Sequence, residues 1–188
     1  MRFPFLACGL VSFALAGCSG TIPVEYRPQS FISITGASAS MGDFDYAPAR
    51  TGGLSPNQLQ NTAAGSIYIG EDVASYVRRA TALEMQKAGV DIAEGNGRMI
   101  EGEVLELMAD DLGYSVDWSY AITYRVVDAS TKREMFSKTY RPEPRKTGKF
   151  GNPSDYTPSV NLLILDAAEQ FMADVKRDGL LATTLATR

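Results

Sequence analysis

From Val116 to Val126, the apolar residues Val116, Trp118, Tyr120, Ile122, Tyr124 and Val126 alternate with Asp117, Ser119, Ala121, Thr123 and Arg125. A period of two places the first set on one face of a β-strand and the second on the other, so the aromatic face is expected against a core and the polar face in solvent. Met99–Met108 before this run and Glu134–Tyr140 after it also read as strands. The turns between them fall at Asp110-Asp111-Leu112-Gly113 and Asp128-Ala129-Ser130-Thr131. The pattern predicts an antiparallel meander.

Elsewhere the period changes to three and four. Val73, Tyr76, Val77, Ala80 and Leu83 make one stripe of a helix from about Asp72 to Lys87, with Arg78, Arg79, Glu84 and Lys87 directed largely to water and Gly89 as the stop. Val160, Ile164, Ala167, Ala168, Phe171 and Val175 make the stripe of a last helix, started by Ser154 or Thr157 and closed by Gly179. Phe31–Thr35 and Ser66–Ile69 have the β-branched and aromatic content of short strands. The resulting order predicts an α+β fold, a two-layer sandwich in which a mostly antiparallel sheet carries two helices on one face. Residues 37–65 and 141–158 show no sustained period and read as long loops. In the first of these, Phe44, Tyr46, Leu54 and Leu59 are either residues that order on a partner or part of an excursion without a role.

The N-terminus follows a different logic. Arg2 precedes an apolar run that contains Pro4 and Ser12, and small residues Ala16 and Gly17 come just before Cys18. That is the order of an export signal, and the run is shorter than the roughly 18 apolar residues of a membrane span. Leu15-Ala16-Gly17-Cys18 resembles the lipobox of bacterial prolipoprotein processing, in which the cysteine thiol receives a diacylglyceryl group before cleavage on its N-terminal side. The alternative is an ordinary secretory signal cleaved near Gly20. The lipobox reading divides the chain into a signal peptide at 1–17, a lipidated tether at 18–29 containing Pro23 and Pro28, and a single periplasmic domain at 30–188. Several acyl chains on Cys18, palmitate among them, would hold the domain at a membrane far longer than one chain can. Ser19 rather than Asp follows the cysteine. In the enteric-type sorting pattern Asp there favours the inner membrane, so the expected address is the outer membrane, facing the periplasm.

Composition narrows the chemistry. The chain has no histidine, and its two cysteines are Cys8, which leaves with the signal, and Cys18, which would be acylated. Cys/His zinc sites and the usual Ser-His or Cys-His nucleophile pairs are therefore excluded. The expectation is no catalytic centre, no cofactor and no metal. The formal charge is −4, and loss of Arg2 makes the mature chain one unit more acidic. Such a balance does not suit a nucleic-acid binder.

Leu15 to Cys18, the helix end Leu83-Glu84-Met85-Gln86-Lys87-Ala88-Gly89 and the stretch Asn161–Val175 together resemble the YajG-type family of uncharacterised bacterial lipoproteins. More distantly, the layout is similar to envelope-transport accessory lipoproteins, small lipid-anchored α+β domains attached to larger machines. The resemblance implies a fold and a location, and supplies no catalytic motif.

Among candidate sites, Arg141, Arg145, Lys146 and Lys149 concentrate positive charge in the second loop, interleaved with Phe150 and Tyr156. They could bind phosphates of anionic lipid or lipopolysaccharide, or an acidic partner face. The alternative is a solvated edge that discourages strand pairing. Trp118, Tyr120 and Tyr124 are read as sheet core before glycan platform, and the pairs Asp43/Asp45 and Asp110/Asp111 as turn chemistry before catalysis. The functional expectation is a non-catalytic binding or assembly accessory of the bacterial envelope, with an envelope protein as partner. Its rival is a structural lipoprotein that binds peptidoglycan or lipid directly.

Overall fold

The computed structural model describes residues 20–63, 65–149 and 152–182. Cys18 and the segment 1–17 lie outside the described residues. In chain order the elements are β1 (Gly20–Ile22), β2 (Ser38–Tyr46), α1 (Ala47–Gly52), β3 (Gln60–Asn61), β4 (Ile67–Ile69), α2 (Val73–Lys87), β5 (Asp91–Ile92), β6 (Arg98–Asp111), β7 (Ser115–Asp128), β8 (Glu134–Tyr140), β9 (Arg145–Gly148), a 3-10 turn at Pro153–Tyr156, and α3 (Thr157–Asp178).

The backbone of the sheet is the long hairpin β6–β7, paired antiparallel from Arg98↔Asp128 to Asp111↔Val116. Each long strand is flanked by two short ones. β2 runs parallel to β6 as far as Tyr46↔Val104, and β3 takes over that edge at Met108 and Ala109. β8 covers β7 at 122–127, and β9 covers it at 115–118. With β5 parallel to β2, this makes an open seven-stranded mixed sheet, while β1 and β4 form a separate parallel pair. The sheet is thus antiparallel in its centre and on the β8/β9 side, and parallel where β2, β3 and β5 join.

One face of the sheet is dry. Every apolar member of the β7 alternation, Val116 through Val126, is buried, and Trp118, Ile122 and Tyr124 are completely so. On β6 the buried positions are Ile100 and Val104, then Leu107 and Ala109. The change of parity comes from a register shift between Val104 and Glu106 that inserts one residue and returns the following side chains to the core. α2 packs on β2 and β6, α3 on β7, β8 and β9, and the two helices touch each other, which completes the second layer. Phe171 of α3 stacks on Tyr124 with ring centroids 4.5 Å apart. Burial of each such aromatic stabilises the fold by about 1.5–3 kcal/mol relative to leaving it in water. The other face of the sheet is polar, with Glu103 held by Arg125 at 2.8 Å and by Arg50 at 2.6 Å.

Four expectations are corrected by the structure. Residues 31–35 form no strand, and Phe31 is 97% exposed. The backbone on either side is tied to α2 instead: Ser30 N–H donates to Glu84 and Ile34 N–H to the Ala88 carbonyl at 2.7 Å. The expected loop 37–65 contains β2, α1 and β3. β2 carries little apolar alternation because Gly42 lies beneath Met99 and Glu101, and the register slips between Met41 and Phe44. Tyr46 and Leu59 are buried, and Phe44 and Leu54 are half-buried, so this segment packs into the fold and is no solvated excursion. The expected loop 141–158 contains β9 and the 3-10 turn. The expected tether, finally, is already folded at Gly20: β1 pairs with β4, and Ile22 and Tyr26 are buried.

Candidate functional surface

The N-terminal segment is clasped by a carboxyl group whose charge leads it to be expected in solvent. Glu84 on α2 is completely buried. It accepts from the Tyr26 hydroxyl at 2.7 Å, the Gln29 amide at 2.9 Å and the Ser30 amide at 2.9 Å. A buried acidic group is tolerated when donors saturate it, and an extended segment outside a sheet has free backbone donors to offer. Further ties run from Asn161 Nδ2 to the Glu25 carbonyl at 2.7 Å, from Lys87 Nζ to the Pro28 carbonyl at 3.1 Å and from the Thr157 hydroxyl to the Pro23 carbonyl at 3.0 Å. The Tyr26 ring meets Tyr76 edge-on at 6.2 Å. Residues 20–36 are thereby a strap across α2 and α3. The chain leaving Cys18 enters the folded body two residues later.

All four residues of the basic cluster are engaged within the chain. Arg145 pairs with Asp166 at 2.6 Å, Lys149 with Asp111 at 2.7 Å, Lys146 with Asp117 at 3.3 Å and Arg141 with Glu106 at 3.4 Å. Arg145 and Lys146 belong to β9, and their partners stand on α3 and on the neighbouring strand β7. The cluster therefore acts as a charged seam that holds the edge of the sheet, and its field is cancelled at short range. An anion would have to displace carboxylates to bind there.

The other candidates are spent in similar ways. Asp45 is hydrogen-bonded by Arg50, and Asp110 accepts from Thr62 at 2.7 Å. The Lys149 ammonium beside Asp111, with the Gly113 amide, holds the Asp111 carboxyl below the usual carboxylate range. Trp118 is buried, and its indole N–H donates to the Thr147 hydroxyl at 2.9 Å. Among the described residues there is no group of three or more His, Cys, Asp or Glu side chains placed to hold a metal ion.

Two buried polar positions on the helices had no visible signal in the sequence. Asp174 on α3 accepts from Lys138 at 2.6 Å and from the Tyr140 hydroxyl at 2.7 Å, and Arg177 lies 2.7 Å away. The Lys138 hydrogen bond, reinforced by Tyr140, holds the Asp174 carboxyl below its usual range. Thr81 on α2 shares a hydrogen bond of 2.9 Å with the Tyr124 hydroxyl. Burial pushes the Tyr76 and Tyr46 hydroxyls up to about 12, and those of Tyr120 and Tyr124 upward as well. These phenols stay protonated at neutral pH; Tyr76 donates to Asn161 and Tyr124 shares its bond with Thr81, whereas the buried hydroxyls of Tyr46 and Tyr120 have no hydrogen-bond partner among the described residues. The only signal available for Glu84, Thr81 and Asp174 was their place on the buried side of their helices, which their polarity obscured.

Three large apolar side chains are exposed among the described residues: Phe31, Leu112 and Tyr114. At the tip of the β6–β7 hairpin Leu112 is 41% and Tyr114 76% exposed, on either side of Gly113, whose φ of 88° makes the turn. A shallow groove lies between residues 23–29 and the start of α3, and its charged rim residues Glu25 and Arg27 pair with each other at 2.5 Å. No helix of the described residues is long and apolar enough to cross a membrane.

No family model matches the sequence, and no curated protein matches it. Solved structures do. The chain is similar to protein XCC0632 from Xanthomonas campestris, of the DUF330 family, with a TM-score of 0.64 over 86% of this chain and 96% of that one, at 8% identity. At that identity the likeness establishes a shared fold. Lipoprotein GNA1162 from Neisseria meningitidis aligns at a TM-score of 0.41 and 12% identity over 73% of this chain and 99% of that one. A minor lipoprotein from Acinetobacter baumannii aligns at 0.46 and 12% over 78% and 97%. None of these three carries the YajG name.

Proposed function

We propose that this chain is a lipid-anchored lipoprotein of the bacterial envelope, held at the outer membrane by Cys18, whose domain serves as a non-catalytic binding or assembly accessory to an envelope protein. The observation that carries the proposal is the strap. A lipidated Cys18 followed at once by β1 and by the Glu84 clasp fastens the whole domain to the bilayer surface, with no free linker between them. A domain held in this way has a fixed height and a restricted orientation, which suits a component that docks onto a neighbouring membrane-bound assembly.

Cross-linking in cells, followed by a mild-detergent pull-down of the lipidated protein, tests this reading. A stoichiometric envelope protein recovered with the wild-type chain is the expected result. Co-sedimentation with purified cell wall, with no protein partner, would instead support the structural lipoprotein. Turnover of an envelope glycan or lipid that is lost on Asp110→Asn or Asp111→Asn would overturn the non-catalytic assignment.

A further inference from the structure

The anchor and the β6–β7 hairpin tip share one end of the molecule. Gly20 lies beside Ile67 at the start of β4, and its amide donates to the Ser66 carbonyl at 3.3 Å. β4 runs antiparallel to the residues leading into β3, through the Gln58↔Tyr68 bridge and a 2.9 Å bond from Leu59 N–H to the Ile67 carbonyl. β3 then pairs with Met108 and Ala109 near the end of β6. Thr62 closes the tip itself: its hydroxyl donates to Asp110 at 2.7 Å and accepts from the Asp111 amide at 2.8 Å. Because β1 and β4 are parallel, following β1 backwards from Gly20 leads toward the turn after Thr62 and toward the tip. Phe31 belongs to the other end, beside the C-terminus of α2 and the start of β2.

Cys18 precedes Gly20 by two residues, a reach of at most about 7 Å. Acyl chains on Cys18 would therefore enter the bilayer at the same end of the molecule as Leu112 and Tyr114. We propose that the β6–β7 tip, with Leu112 and Tyr114, is a second membrane contact that inserts into the headgroup region of the same bilayer. This rests on the lipidation of Cys18 proposed above. A leucine and a tyrosine suit that depth, the first apolar and the second offering a ring with a polar end. Asp111 is paired with Lys149 and Asp117 with Lys146, while Asp110 is held by the Thr62 hydroxyl alone and would stay at the aqueous side of the contact. The strap already restricts the orientations that the anchor allows, and a second point of contact fixes the rotation that remains.

Depth-dependent fluorescence quenching tests the proposal. The mature lipidated chain has no free thiol once Cys18 is acylated, so Leu112→Cys, Tyr114→Cys and the control Phe31→Cys each accept one environment-sensitive fluorophore. The proteins are reconstituted in phosphatidylethanolamine/phosphatidylglycerol vesicles containing lipids spin-labelled near the headgroup. Labels at 112 and 114 are expected to show blue-shifted emission and at least twofold stronger quenching than the label at 31. Equal quenching at all three positions, in chains that float with the vesicles, overturns the proposal while leaving the anchor intact. Chains that do not float remove the anchor, and the tip contact with it. Labels at 112 shielded from iodide in native membranes, yet unquenched in pure lipid vesicles, overturn it in favour of a protein partner at the tip.

Discussion

The clasp on Glu84 makes a quantitative demand on the fold. In Glu84→Gln the side chain keeps its size, but one of the two acceptor oxygens becomes an NH2 group. Three donors converge on the native carboxyl group, from Tyr26, Gln29 and Ser30. One amide oxygen cannot satisfy all of them, and the new NH2 would face at least one N–H head-on. An unsatisfied buried donor costs about 1–3 kcal/mol. Allowing for local retreat of the strap, the loss should be about 2–3 kcal/mol. For a domain of this size, with a urea m-value of about 2 kcal/mol/M, that is a midpoint shift of roughly 1–1.5 M. The mature chain carrying Cys18→Ser, free of lipid, is the background for the measurement. Hydrogen exchange should rise at Gln29 and Ser30 first, because the strap can open while the β6–β7 hairpin stays closed. A midpoint within about 0.3 M of wild type, with unchanged exchange at those two amides, would refute the idea that Glu84 holds the strap.

Other substitutions probe the layers separately. Phe171→Ala removes the ring stacked on Tyr124 and should cost about 3–5 kcal/mol, read as a lowered melting temperature. In Gly102→Ala the new methyl would lie 2.4 Å from Cε1 of Phe44, whose ring covers that glycine. A loss of about 1–3 kcal/mol is expected, largely recovered by adding Phe44→Leu, and a double-mutant cycle with no coupling would contradict the overlap. For Asp174 the folded carboxyl titrates below its unfolded value of 3.8, so its contribution is complete above that pH and is lost as pH falls through the lower folded value. Asp174→Asn should therefore lower the urea midpoint at pH 7 and flatten its decline as pH falls below 3.8. Arg145→Ala, which breaks the pair with Asp166, should cost no more than about 1 kcal/mol while increasing exchange in β9.

Where the buried surface of an element is continuous, its pattern could be read directly. The alternation over Val116–Val126 identified β7 and its core face, and the stripes beginning at Val73 and Val160 identified α2 and α3, because side-chain period follows from backbone geometry alone. Gly89 and Gly179 were legible as helix stops for the same local reason, and both have positive φ. From these elements the α+β class followed, and the lipobox sequence supplied the expected anchor at Cys18.

Tertiary structure decided what depends on neighbours. β2 is a strand because β5 and β6 bond its backbone, although its own sequence of small and polar residues shows no period. Tyr26 and Glu84, 58 positions apart, reveal a strap only once α2 lies beneath the N-terminal segment. Arg141, Arg145, Lys146 and Lys149 form a positive cluster along the chain, yet folding places an acidic side chain against each, which turns a candidate anion site into a seam. The sequence thus determined the periodic elements and the chemistry excluded by the absence of histidine. Which polar groups are buried, which charges cancel and which apolar residues remain exposed are relations between distant segments, and the pairing of strands and helices in space set them.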